Sequence, residues 1–157
     1  MINFTTNSPE ETMRLGEQIC RGIPLNIVIA LSGNLGCGKT TFVKGIAQAL
    51  GIDPEKVNSP SYVLIKEYNV KGGKLFHLDL YRLEGVKEIA MLGIEEYFTQ
   101  RGLLVIEWAE KAKGLMPDEY MWIRIKALSE YRRRFILSAK GKRYNDLLNS
   151  FKGKIKG

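Results

Sequence analysis

Cysteine is scarce in this chain: Cys20 and Cys37 are the only two in 157 residues. Two thiols with no CxxC pair and no Cys/His spacing exclude a disulfide scaffold and a zinc ribbon. No apolar run approaches the ~18 residues of a membrane span, which argues against a membrane protein. The opening MINFTTNSPEE lacks a basic stretch leading into an apolar one, so no secretory signal is expected and the expected compartment is the cytoplasm. Histidine occurs once, at His77, which leaves little room for a His-based metal site. Repeats and low-complexity linkers are also missing. A chain this short fits one domain, residues 1–157, with residues 152–157 (KGKIKG) expected to fray as a basic tail.

Acidic charge is missing from one end. Residues 1–123 hold 13 Lys/Arg against 15 Asp/Glu, whereas residues 124–157 hold 11 against 2. The net charge of +7 therefore resides in the last fifth of the chain. Such an end suits a polyanion such as RNA or an acidic partner, and equally a merely solvated face. No aromatic-studded RNA motif accompanies it.

What is present is ordered punctuation. SPEETMRLGEQICRG reads as a helix with Ser8 as N-cap, Pro9 in the first turn, Glu11 completing a capping box and Gly22 as the stop. NIVIALS is a continuous apolar run of the kind buried on both faces of a parallel sheet. GNLGCGKTT follows, and then Phe42, Val43, Ile46, Ala47 and Leu50 recur at helical spacing up to Gly51. Two β-rich runs flank Gly72-Gly73 as a hairpin. VKEIAMLGIEEYF reads as helical, GLLVIEW as a second buried strand, YMWIRIKA and RRFILSA as an antiparallel pair, and YNDLLNSF as a closing helix. The order predicts an α/β fold, a three-layer P-loop NTPase sandwich with a mixed parallel and antiparallel sheet.

Gly33, Gly36, Gly38, Lys39 and Thr40 fit G-x-x-x-x-G-K-[ST] between a strand and a helix. The stretch Gly33, Asn34, Leu35, Gly36, Cys37, Gly38, Lys39, Thr40 and Thr41 is expected to wrap nucleotide phosphates with its backbone N–H groups. Lys39 would reach the β- and γ-phosphates, Thr40 would offer its hydroxyl to Mg²⁺, and the helix start adds its positive end. Cys37 is either a small filler or a thiol activated by that helix start.

Such a site needs carboxylates. Glu107 directly follows the apolar LLVI, which places an acid at the end of a buried strand. Asp79 shares a strand face with His77, while Phe76, Leu78 and Leu80 share the other. That polar stripe is either cleft-facing or the solvated side of a hairpin, and His77 is best read as a hydrogen-bonded support. Ser59, Ser61 and Tyr62 of NSPSY bring hydroxyls to a segment that in P-loop proteins often senses the γ-phosphate.

GNLGCGKTT, NSPSY, FHLDLYRL, LGIEEYF and VIEWAEK, in this order and spacing, together resemble the bacterial TsaE family, formerly YjeE. The likeness covers about residues 8–126. It implies a small ATPase, with ATP and Mg²⁺, of low intrinsic activity and dependent on the TsaB and TsaD proteins. That assembly places a threonylcarbamoyl group on the adenosine beside the anticodon of tRNA, and the resemblance leaves direct tRNA contact open. It implies that Thr40 and Glu107 hold the metal, that Asp79 serves hydrolysis with Glu107 and Lys39, that SPSY is a switch, and that Trp108 lies at the nucleotide or partner surface. Ser61 stands where the family commonly has Thr. An Arg near the last strand contacts nucleotide in relatives. Arg132, Arg133 and Arg134 are candidates, with Arg134 preferred.

A small-molecule kinase is the main alternative, with YRRR as a lid-like arginine source. A GTPase switch would need a guanine-reading N-K-x-D, which this chain lacks, and no D-x-x-G follows FHLDL. A nucleotide-free RNA-binding module would rest on the basic end alone.

Overall fold

The computed structural model describes residues 1–155. Its elements are β1 (Ile2–Thr6), α1 (Pro9–Arg21), β2 (Ile27–Ser32), α2 (Lys39–Ala49), a 3-10 turn (Pro54–Lys56), β3 (Ile65–Val70), β4 (Gly73–Asp79), α3 (Val86–Met91) and α4 (Ile94–Tyr97). After these come β5 (Gly102–Glu107), a second 3-10 turn (Ala109–Ala112), β6 (Tyr120–Ala127), β7 (Arg133–Lys140) and α5 (Lys142–Ser150).

The strands form one seven-stranded sheet in the order β1-β7-β6-β2-β5-β4-β3. β6, β2, β5 and β4 run parallel, and the pairs β6–β7, β1–β7 and β3–β4 are antiparallel. Short turns join the antiparallel neighbours β3–β4 and β6–β7, α3 and α4 carry the crossover from β4 to β5, and β1 pairs with β7 from the opposite end of the chain.

Alternation along the strands sends side chains to two cores. Ile27, Ile29, Leu31, Leu103, Val105, Met121, Ile123, Phe135 and Leu137 pack against α1, α2 and α5. Val28, Ala30, Leu104, Ile106, Phe76 and Leu78 pack against α3, α4 and the turn Ala109–Ala112. β2 and β5 are buried along their whole length, as NIVIALS and GLLVIE require of strands with helices on both sides. α1 lies close over α2: a Cβ on Gly45 would stand 1.8 Å from Met13 O, so only glycine allows this approach. No helix among the described residues is long and apolar enough to cross a membrane.

Several details depart from the sequence-based expectations. Ile2–Thr6 is an edge strand that the patterning does not predict. The Glu11 carboxylate accepts from Asn7 N–H at 2.7 Å, one residue before the expected partner, while Ser8 Oγ accepts from Glu11 N–H at 3.1 Å. The stretch VKEIAMLGIEEYF is helical as expected, divided into two short helices because Gly93 takes φ 67° and breaks the ladder. The first strand of the hairpin begins at Ile65, and residues 61–64 before it form a turn, with Leu64 at φ 71°. Of the tail expected to fray, Ile155 is buried in the first core, and residues 156–157 lie outside the described residues.

Candidate functional site

Parallel strands aim their carboxyl ends at one edge, and in open α/β sheets ligands bind there. β2 ends at Ser32, β5 at Glu107 and β4 at Asp79. The register pairs Leu31 with Glu107, and Asp79 with Glu107. Two acids 28 residues apart in number therefore sit side by side on neighbouring strands, level with the last residues of β2 and next to the loop that follows it.

That loop curls. Gly33, Gly36 and Gly38 all have positive φ (148°, 74° and 106°), a region costly to other L-residues. At Gly33 space also decides: a Cβ would meet Ile125 O at 2.4 Å and Cys37 Sγ at 2.6 Å. Gly38 is the N-cap of α2 and has no side chain to accept from the helix. The first-turn N–H groups of an 11-residue helix are thus left to point at the cleft.

Lys39 is 5% exposed. Its Nζ donates to Gly33 O at 2.6 Å and Asn34 O at 3.1 Å, and lies 4.1 Å from the centre of the Trp108 ring. Trp108 itself has φ 57°, a left-handed conformation uncommon for a bulky residue, and its ring is 5.1 Å from that of Tyr81. Leu35 is exposed at the loop's tip, and Cys37 is buried beneath it. Burial pushes the Cys37 thiol up, and the nearby Lys39 ammonium offsets this only in part. The filler role fits; a helix-activated thiol does not.

A hydrogen-bonded chain joins three distant segments. Thr40 Oγ1 donates to Glu107 Oε1 at 2.9 Å, and His77 Nε2 lies 2.8 Å from the same oxygen. A carboxylate only accepts, so the geometry assigns the imidazole proton to Nε2. His77 is fully buried, and its Nδ1 has no hydrogen-bond partner among the described residues. The support role expected for His77 is what these contacts provide: it fixes the carboxylate rotamer of Glu107.

Asp79 anchors a second group. Its Oδ1 accepts from Tyr81 N–H at 2.9 Å. Its Oδ2 accepts from the hydroxyls of Ser59 and Ser61, the latter at 3.0 Å. The polar stripe on β4 is therefore cleft-facing, not solvated: Asp79 and Glu107 are each 2% exposed. Gly36, Lys39, Thr40, Ser61, Asp79 and Glu107 all line one cleft of about 290 Å³.

Of the arginines, Arg134 is not brought to this site. Register puts it opposite Lys126 on the outer face of β7, while Arg133 shares the inner face with Phe135. Arg133 reaches the glycine loop instead, with Nε 3.9 Å from where a Gly38 Cβ would lie. Adjacent arginines on a strand point to opposite faces, so a one-residue uncertainty in register decides which one arrives. Tyr131 and Thr12 join Arg133 and Thr41 around a smaller adjoining recess. Thr12, on α1, was missed by sequence reasoning because nothing local marks it; its hydroxyl bonds to Thr6 at 2.8 Å.

Among the described residues no group of three or more His, Cys, Asp or Glu could hold a metal ion. A dedicated protein cage is therefore not the chemistry here. The donor set, one hydroxyl and one carboxylate beside a nest of N–H groups, fits Mg²⁺ instead, which is commonly held by one or two protein oxygens plus phosphates and water.

Comparison with known proteins agrees with this architecture. The family described as "Threonylcarbamoyl adenosine biosynthesis protein TsaE" matches residues 6–135. A "tRNA threonylcarbamoyladenosine biosynthesis protein TsaE" from Bacillus subtilis (strain 168) is 39% identical over 146 residues, covering 93% of this chain and 90% of the relative. One of the same description from Aquifex aeolicus (strain VF5) is 38% identical over 128 residues, covering 81% and 88%. The crystal structure of Bacillus subtilis YdiB superposes with a TM-score of 0.79 at 34% identity, covering 96% of this chain and 93% of that one.

Proposed function

The chain belongs to the TsaE family, whose members take part in tRNA threonylcarbamoyladenosine biosynthesis, and on that premise we propose that it is an ATP hydrolase whose turnover supports repeated modification of tRNA by a TsaB–TsaD complex. One observation carries the reading: Lys39, Asp79 and Glu107 are buried together at one cleft, and neither Lys39 nor Asp79 has an ion-pair partner among the described residues. Burying an ion costs several kcal/mol unless something offsets it. A polyphosphate with its metal supplies the missing charge of both signs.

Each group then has a task. Lys39, whose ammonium rests on the carbonyls of Gly33 and Asn34, would turn to the phosphates when nucleotide binds, and the N–H groups at the start of α2 would hold phosphate oxygens. Thr40 and Glu107 would hold Mg²⁺, which when bound neutralises phosphate charge. His77 keeps the Glu107 carboxylate in place. Asp79 is an acceptor at the cleft and orients the attacking water. Ser59 and Ser61 tie the NSPSY segment to that acid, so loop position and hydrolysis are coupled. Trp108 and Tyr81 form an aromatic wall that sheds water from the cleft.

The kinase alternative needs a lid. Here Tyr131 and Arg132 lie in the tight turn before β7, with Leu128 N–H donating to Arg132 O at 2.8 Å, and Arg133 and Arg134 belong to β7 itself, which favours the hydrolase. The test is ATP hydrolysis by the chain with and without purified TsaB–TsaD. Hydrolysis stimulated by the partners and lost on Glu107→Ala supports the reading. ADP release that needs a small-molecule acceptor and no protein partner overturns it.

A further inference from the structure

Helices cover the sheet unevenly. α1, α2 and α5 close one face, and on the other α3, α4 and the turn Ala109–Ala112 cover β2, β4 and β5 and reach one side of Tyr120 and Trp122 at the start of β6. Among the described residues, the outer face of β7 and of β6 beyond Trp122 carries no helix. Strand alternation inside YMWIRIK buries Met121, Ile123 and Ile125 and turns Tyr120, Trp122, Arg124 and Lys126 outward. The register sets Lys140 opposite Tyr120 and Arg134 opposite Lys126. Arg124, Lys126, Arg134 and Lys140 are all exposed, and none has an ion-pair partner among the described residues. The Tyr120 and Trp122 rings are half-buried, with centroids 6.0 Å apart. Two adjoining grooves of about 490 and 410 Å³ meet at Trp122 and Arg124, and among the described residues Glu110 is the one acid on their walls.

We propose that this face is an RNA-docking surface, with the four cations on phosphates and the Tyr120 and Trp122 rings as a platform for bases. Aromatic rings also serve protein interfaces; what favours RNA is the charge, four exposed cations with Glu110 as the one acid on the groove walls. Half-exposed rings set among unpaired cations on an open sheet are the combination that single-stranded nucleic acid uses. The surface adjoins the nucleotide cleft: Asn34 and Leu35 line the same groove as Lys126, and Trp122 Nε1 donates to Ser32 Oγ at 2.8 Å, one residue before Gly33. RNA seated here lies against the strand that supports the glycine loop. The inference rests on the proposed function only for its choice of tRNA as the probe.

The experiment is fluorescence anisotropy of an unmodified tRNA transcript with the full chain between 50 and 200 mM salt. Four phosphate contacts weaken binding about 50- to 150-fold over that range. Lys126→Glu with Lys140→Glu, both at exposed positions outside the nucleotide cleft, lowers the log–log salt slope by about 2. Tyr120→Ala weakens binding about five-fold or more with the slope unchanged. ATP binding is measured on the same samples. If the chain binds tRNA but not ATP, the hydrolase reading fails and this surface stands. A wild-type chain that does not bind tRNA at 50 mM salt overturns the surface. So does a slope untouched by the two charge reversals, or a double variant that keeps tRNA binding but no longer binds purified TsaB–TsaD.

Discussion

Two regions of one sheet treat charge in opposite ways. At the carboxyl ends of β2, β4 and β5, three charged side chains are almost fully withdrawn from water and held by carbonyls, hydroxyls and one imidazole. On the outer face of β6 and β7, four cations stand in solvent. Exposed charge costs little, so its presence alone says little, and only its arrangement around two aromatic rings is informative. Buried charge is costly, so it persists only where a ligand or a network offsets it. The first region should thus be sensitive to single atoms, and the second to net charge and salt.

The largest expected effect falls on the cleft. Asp79→Asn keeps the shape and one acceptor oxygen but removes the negative charge and turns the other acceptor into a donor, and partner-stimulated ATP hydrolysis should drop about 10²- to 10³-fold, the scale of losing one preorganised electrostatic group. A rate within a few-fold of wild type would place Asp79 on the same footing as the surface charges. Next is the loop's backbone. Gly33→Ala forces a Cβ against Ile125 O and Cys37 Sγ at φ 148°, and urea denaturation should show a loss of about 1–3 kcal/mol. An unchanged midpoint would mean that the loop is not braced by β6.

The smallest effect concerns a buried group in neither region. Burial pushes the Cys20 thiol up to about 12 from an ordinary value of 9.0. The folded state therefore holds this proton where the unfolded state releases it. The resulting stability is complete below about pH 9 and is lost as pH rises from there toward about 12. Cys20→Ala should flatten that part of the stability curve, by about 1 kcal/mol at pH 9.5 relative to neutral pH. Parallel curves for both proteins would show that the thiol is not shielded.

Much of the cleft is legible in the sequence. The strand, loop and helix around GNLGCGKTT, and the acid after LLVI, are local patterns with local causes. The polar stripe of His77 and Asp79 is visible as alternation, but not which side it faces, because that depends on β4 pairing parallel to β5 rather than lying at the edge. The chain Thr40–Glu107–His77 spans 67 and 30 residues of separation, and no pattern within a segment encodes such contacts. β1 escapes sequence reasoning for a similar reason. INFTT is a weakly apolar edge strand whose partner, β7, lies at the other end of the chain. The preference for Arg134 over Arg133 turned on strand register, which a run of three arginines does not reveal. Asymmetry of charge is readable from composition, yet only the bare face of β6 and β7 gives it a location.

The most direct test of the central claim is reconstituted tRNA modification with TsaB, TsaD and threonylcarbamoyl-AMP, counting products per complex with the wild-type chain and with Lys39→Ala. The account predicts many products per complex with the wild type and no more than about one with the variant. Full multiple-turnover modification by Lys39→Ala would contradict it.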